Sequence, residues 1–335
     1  MENEQNTEQQ TTQPIFQNRT DLSALSAAVE RIRTEIRKIV VGQLDMMDLL
    51  IAALLSNGHV IIEGVPGVAK TLTAKLLART LSVDFSRIQF TPDLMPSDVV
   101  GTTVFNVKTS EFDFKSGPVF SNFVLIDEIN RAPAKTQSAL FEVMEERQVT
   151  VDGTTYKMQP PFLVIATQNP VDQEGTYRLP EAQLDRFLFK IEVGYPTPED
   201  ETNILKEFHA RKNMNDLHVV GAVMSGAEIT QFQETVRGLH IEQNLLEYIA
   251  GIVARTRNNA SLYLGASPRA SLAILNASKA FAAMSGRDFV TPEDIQRAAP
   301  SVLKHRIILT PEREMEGARP HDVVKQILET LEVPR

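Results

Sequence analysis

Residues 59–81 read HVIIEGVPGVAKTLTAKLLARTL: an apolar run ending in Gly, a loop carrying Gly64, Gly67, Lys70 and Thr71, then apolar residues at helical spacing. Strand, glycine loop and helix in that order make an anion cradle. Glycines let backbone N–H groups converge on a phosphate, the helix N-terminus adds its dipole, and the Lys charge reaches the terminal phosphates. The loop GVPGVAKT, residues 64–71, departs from the usual pattern at one place, where Ala69 stands for the last glycine. That position borders the helix, where a helical backbone suits Ala and only a left-handed angle would make it costly. The expectation is a tolerated Ala69 in a nucleotide loop formed by Gly64, Val65, Pro66, Gly67, Val68, Ala69 and Leu72, with Lys70 on the phosphates and the Thr71 hydroxyl on Mg²⁺.

Four further runs have the length and apolar content of buried parallel strands: RIQFT at 87–91, FVLIDE at 123–128, FLVIATQN at 162–169 and FKIEV at 189–193. With HVIIEG they predict an α/β fold with a five-stranded parallel sheet, right-handed crossovers and helices such as AKTQSALFEVMEERQ on both faces. TTVFNVKTSEFDFKSG and QVTVDGTTYKM alternate around turns, the second at Asp152-Gly153, and read as inserted hairpins. Upstream, Leu22 to Asn57 carries two helical patterns broken by VGQ.

After GYPTPED the strand pattern stops. Thr197-Pro198 and Thr291-Pro292 each place a capping Thr before a first-turn Pro and acids, and the rest reads as a smaller all-α domain. The expected organisation is a disordered tail over residues 1–20, an αβ nucleotide-binding core over 21–195 and a helical lid over 196–335.

Composition narrows the function classes. Hydrophobic residues at 42% and charged residues at 23% are ordinary for a globular chain, and the longest apolar runs are strand-sized, so membrane insertion is not expected. A net charge of −9 and the lack of a basic tail speak against a surface built for nucleic acid. No secretory pattern opens the sequence, which points to the cytoplasm, and no His/Cys set has metal-ligand spacing.

FVLIDE ends in two carboxylates at a strand's carboxyl end, so Asp127 can hold Mg²⁺ through water while Glu128 polarises an attacking water. Asn169 ends the next strand pattern and faces the same crevice, able to hold that water in line. In SPRAS, Ser267 sits at a cap, Pro268 at the first helical position and Arg269 in the first turn, where a cation opposes the helix dipole unless a phosphate or a salt bridge offsets it. Arg186 in LPEAQLDRF would by itself be read as a surface charge.

Taken in order, GVPGVAKT, FVLIDEINRA, ATQNP, LPEAQLDRF and GASPRAS resemble the MoxR family of AAA+ ATPases, with magnesium-chelatase motor subunits as close relatives, over roughly residues 22–310. The resemblance implies ATP and Mg²⁺ as cofactors and a homo-oligomeric ring, usually of six, with ATP between one subunit's core and its neighbour's edge. It assigns Lys70 and Thr71 to Walker A, Asp127 and Glu128 to Walker B, Asn169 to sensor 1, Arg186 to the arginine finger and Arg269 to sensor 2. Val41, Gly42 and Gln43 match the segment that passes near adenine, and the hairpins match inserts that face the pore or a partner. The implied activity is ATP-driven remodelling or maturation of a client protein, often one with a von Willebrand A domain. The alternatives are a chelatase-type motor, which needs companion subunits, a DNA-acting motor, which the acidic balance disfavours, and a scaffold that binds without hydrolysing.

Overall fold

Continuous apolar runs such as FVLI and LVIA put apolar side chains on both faces of the central strands, and helices cover the two faces. The structure, a computed structural model, describes residues 20–170, 176–177, 179–212 and 216–334. The tail expected over 1–20 therefore lies outside the described residues, residue 20 apart.

The strands His59–Gly64 (β1), Phe85–Gln89 (β2), Phe123–Asp127 (β3), Leu163–Gln168 (β4) and Phe187–Val193 (β5) form one parallel sheet in the order β5-β1-β4-β3-β2. Phe123 and Leu125 of β3 face one core, Val124 and Ile126 the other; Leu163 and Ile165 of β4 separate from Val164 and Ala166 in the same way. The first core is roofed by Ser23–Arg37 (α1), Leu44–Leu55 (α2) and Lys70–Arg79 (α3), the second by Ala134–Glu146 (α4).

The carboxyl-terminal helices are Pro198–Ala210 (α5), Gly226–Arg237 (α6), Gln243–Arg257 (α7), Pro268–Met284 (α8), Pro292–Leu303 (α9) and Pro320–Thr330 (α10). They form a helical lid whose apolar residues, among them Ile274, Ile295 and Val302, join the first core without a break. In that contact α9 packs on β5 and α8 on α2. Thr197 accepts the Asp200 N–H at 3.1 Å and Thr291 completes a capping box with Asp294, so both Thr-Pro starts behave as their chemistry requires. No helix among the described residues is long and apolar enough to cross a membrane.

Both hairpins are present: Gly101–Asn106 pairs with Glu111–Ser116, and Gln148–Val151 with Thr154–Lys157. Asp152 and Gly153 take φ of 48° and 79°, the left-handed pair that a tight two-residue hairpin turn needs. The first hairpin leaves Phe105 and Phe112 exposed. Two short pairings carry no signal in the sequence: Leu81–Ser82 with Met224–Ser225, and Leu262–Leu264 with Ile308–Leu309. Strands this short have no periodicity to detect, and they fasten the lid region to itself and to the end of α3.

Candidate functional site

Gly64 closes β1 against β5, where a Cβ would lie 2.5 Å from the Val193 carbonyl oxygen. Gly67 is needed for another reason: its surroundings are open, but its φ is 85°. The chain then reaches Ala69, whose φ of 59° and ψ of 20° are left-handed. The expectation of a helical Ala69 is therefore overturned, because residue 69 caps α3 from outside and Lys70 is its first helical residue. An L-residue with a Cβ held there costs about 1–2 kcal/mol, so the loop keeps its shape against local preference.

The loop opens on a cleft of about 450 Å³ lined by Pro66 to Leu72, Arg87, Gln89, Asp127, Glu128, Thr167, Gln168 and Asn169. Gly64 and Val65 sit behind it, and their carbonyl oxygens accept hydrogen bonds from the Lys70 ammonium, the second at 3.0 Å. Four of the five strands end at this cleft, so the parallel topology has gathered the phosphate loop, both carboxylates and Asn169 on the carboxyl side of the sheet.

Each carboxylate is held in place. The Thr71 hydroxyl donates to Asp127 Oδ1 at 2.8 Å, Thr167 Oγ1 donates to the same oxygen at 3.2 Å, and Arg87 Nε meets Asp127 Oδ2 at 2.6 Å. Gln89 donates to Glu128 Oε2 at 2.7 Å, Arg131 lies 3.3 Å from that oxygen, and Glu128 itself has a left-handed φ of 57°. Sequence reasoning missed Arg87, Gln89 and Thr167. A usable signal was present: in a strand, residues 87 and 89 share a face, and the register pairs Gln89 with Asp127.

A second lobe of about 240 Å³ shares Gly67, Val68, Ala69 and Leu72 with the first and adds Val40, Val41, Gln43, Ile204, Phe208 and Arg211. Gln43 donates from Nε2 to the Val68 carbonyl at 2.6 Å, while its Oε1 is buried without a partner. A mostly apolar slot with one stranded acceptor suits a purine carrying an exocyclic amine. Gly42 does not line the lobe; its φ of 71° turns the chain, and a Cβ there would press on Asp200 at 3.3 Å.

The two lobes fit a nucleotide with its divalent cation. Thr71 and Asp127, already 2.8 Å apart, offer the hard oxygen ligands that Mg²⁺ prefers beside phosphates, and no group of three or more His, Cys, Asp or Glu exists among the described residues to offer a separate metal site.

Arg186 and Arg269 are not brought to this cleft. They line another one, with Gly58, His59, Met144, Glu145, Asp185, Leu188 and Arg306, at the amino ends of β1 and β5. A strand of six residues separates the two ends by roughly 17 Å, beyond the reach of either side chain. Arg186 Nη1 donates to the Phe141 carbonyl, and Arg269 pairs with Glu145 at 2.7 Å. A carboxylate, not a phosphate of the same chain, thus offsets the opposition between Arg269 and its helix dipole.

This amino-end region also buries His59 and His305. The Val164 N–H donates to His59 Nδ1 at 3.0 Å, which leaves the proton on Nε2, 3.1 Å from the Met144 carbonyl. Burial, with Arg147 nearby, pushes its pKa down to about 3. Burial and the adjacent Arg306 charge likewise hold His305 well below the ordinary imidazole value.

The family model described as "ATPase family associated with various cellular activities (AAA)" matches residues 59–189, and that of the AAA lid domain matches 254–327. The chain is 44% identical to Chaperone MoxR1 of Mycobacterium tuberculosis over 94% of this chain and 84% of that one. It is 31% identical to Protein MoxR of Methylorubrum extorquens over 92% and 95%. A crystal structure from Cytophaga hutchinsonii superposes with a TM-score of 0.85 at 43% identity, covering 93% of this chain and 97% of its own.

Proposed function

Since this chain belongs to the MoxR family of AAA+ ATPases and is an ATP hydrolase, we propose that it works as a ring, each ATP lying between one subunit's carboxyl-end cleft and the next subunit's amino-end edge. One observation carries the reading. Lys70, Thr71, Asp127, Glu128 and Asn169 share a cleft, while Arg186 and Arg269 line a different one at the far end of the same strands. A head-to-tail ring brings the second cleft of one subunit onto the first of the next. In domain terms we assign residues 21–195 to the core and 196–335 to the lid.

The residues then divide the work. Lys70 exchanges its loop carbonyls for phosphate oxygens, and the α3 N-terminus adds its N–H groups. Thr71 and Asp127 would hold Mg²⁺, which supplies neutralisation of the phosphate charge. Glu128, fixed by Gln89, takes the proton of the attacking water, and Asn169 keeps that water in line. Gln43 and the walls of the second lobe receive the adenine. Arg186 and Arg269 arrive from the neighbour and stabilise charge on the transferred phosphoryl group.

The output is force on a client protein. The relative named as a chaperone supports a client-directed role, and the exposed Phe105 and Phe112 of the first hairpin give a surface for contact. Family resemblance alone extends this to a client with a von Willebrand A domain.

Hydrolysis per subunit, measured with Mg²⁺ over a wide range of protein concentration, tests the shared site. Turnover should rise as rings assemble. A substantial rate from a species sized as a monomer contradicts it.

A further inference from the structure

Asp185 immediately precedes Arg186, and both of its carboxylate oxygens are committed to the lid. Oδ1 accepts from Arg306 Nε at 2.6 Å, and Oδ2 accepts from the Ser267 hydroxyl at 3.0 Å. Arg306, with only 3% of its side chain exposed, uses the whole fork of a guanidinium. Besides Oδ1 it donates to the carbonyls of Asp185 at 3.0 Å, Phe187 at 2.6 Å, Leu188 at 3.2 Å and Val302 at 2.5 Å. The bonds to residues 185 and 187 bracket Arg186 on both sides.

Ser267 shows the same commitment from the other direction. It occupies the cap position of α8, yet its side chain makes no capping bond to that helix. Its hydroxyl is turned onto Asp185 instead, two residues before Arg269. The other two cations of this edge lean on one surface: Arg186 on the Phe141 carbonyl and Arg269 on Glu145, one turn further along α4. Buried ion pairs seldom add stability over a well-packed apolar replacement, so a desolvated, fully bonded arginine is better explained by geometry than by stability.

We infer that Asp185 is a positioning residue for hydrolysis: clamped by Arg306 and tied to Ser267, it locks Arg186 of the core and Arg269 of the lid into one rigid pair that is offered to the neighbouring subunit's nucleotide. The inference rests on the shared-site reading above. It also gives a route between lid and finger, since Ser267 at the start of α8 and Arg306 just after α9 both bond Asp185, the neighbour of Arg186.

The mildest probe is Ser267→Ala, which removes a bond to Asp185 and no helix cap. ATP affinity should stay at the wild-type value, because the variant's own carboxyl-end cleft is untouched, while kcat should fall about 10-fold from a misplaced pair. Ser267→Thr, which keeps the hydroxyl, should restore kcat. Asp185→Asn, which keeps the shape and removes the charge, should lose at least as much. Mixing Ser267→Ala with Lys70→Ala subunits, whose own sites are dead but whose Arg186 and Arg269 are intact, should raise turnover per Ser267→Ala subunit severalfold. A general folding defect would leave the damaged subunit's own site poor and show no rescue, and that result overturns the inference. Wild-type kcat in both Ser267→Ala and Asp185→Asn overturns it as well. If Arg186→Ala is inactive while those two are normal, the positioning role alone fails; if Arg186→Ala is itself normal, the shared-site reading falls and this inference with it.

Discussion

The carboxyl and amino ends of the sheet are lined by different chemistry, a glycine loop with two carboxylates at one and arginines beside a buried histidine at the other. At the carboxyl end, short motifs on successive strands are brought to one cleft by the parallel topology and tied across it by Thr71, Arg87 and Gln89, with left-handed φ at Gln43, Ala69 and Glu128. At the amino end the partners are far apart in sequence: Asp185 meets Ser267 and Arg306, Arg269 meets Glu145, and His59 bridges Met144 and Val164. Left-handed φ occurs at the amino-end cleft too, at Asn57 and Arg147, so what sets the ends apart is what they gather: a glycine loop, two carboxylates and Asn169 at one, and buried His59, His305 and Arg306 at the other. On the proposed reading the first is the nucleotide-binding end of a subunit and the second its presenting end.

Three substitutions probe that division most strongly. Arg186→Ala, at the presenting end, should leave ATP affinity near wild type and lower kcat by about 10³-fold or more, as expected for an arginine finger. Glu128→Gln, at the binding end, should trap bound ATP and lower kcat by about 10²- to 10⁴-fold, and equal turnover by variant and wild type would remove Glu128 as the base. Lys70→Ala should weaken nucleotide binding itself by about 10- to 100-fold, read by titration with a fluorescent ATP analogue. A presenting-end variant that lost affinity, or a binding-end variant that did not, would blur the two regions.

Acid should attack the presenting end. His59 is neutral in the fold with a pKa of about 3, against 6.5 for an unburied imidazole. Its contribution is fully present above that ordinary value. As pH falls below it the unfolded chain takes up the proton and the folded chain does not, so stability drops by roughly 1.4 kcal/mol per pH unit until the folded imidazole protonates. His305 adds to the same slope. Denaturant midpoints that hold constant from neutral pH well into that window would contradict these assignments.

The smallest effect belongs to the strained loop. Ala69→Gly removes the Cβ from a left-handed residue and should raise stability by about 1 kcal/mol, a shift of about 1 °C in a calorimetric midpoint for a chain of this length. A loss of stability would mean that the Ala69 methyl has packing value beyond its backbone cost.

These regions were not equally legible in the sequence. All five core strands, both hairpins and the carboxyl-end set of Lys70, Thr71, Asp127, Glu128 and Asn169 follow from periodicity and motif order, because each signal lies within a few residues. The angle at Ala69 was misread because propensity describes helix interiors, and residue 69 is the cap outside. Arg87 and Gln89 needed the strand register, and Arg306 needed the lid docked on β5. A lone HR after a helix carries no local sign that its Arg will be buried, since four of its five acceptors come from Asp185, Phe187 and Leu188, well over a hundred residues away.

The most direct test of a site divided between subunits is complementation. Lys70→Ala and Arg186→Ala are each prepared alone and then mixed in equal amounts under conditions that exchange subunits. Each alone should be nearly inactive, and the mixture should recover about a quarter of wild-type turnover, the share of head-to-tail contacts that pair an intact binding end with an intact presenting end. Mixed rings that form but stay as inactive as either parent would contradict the account.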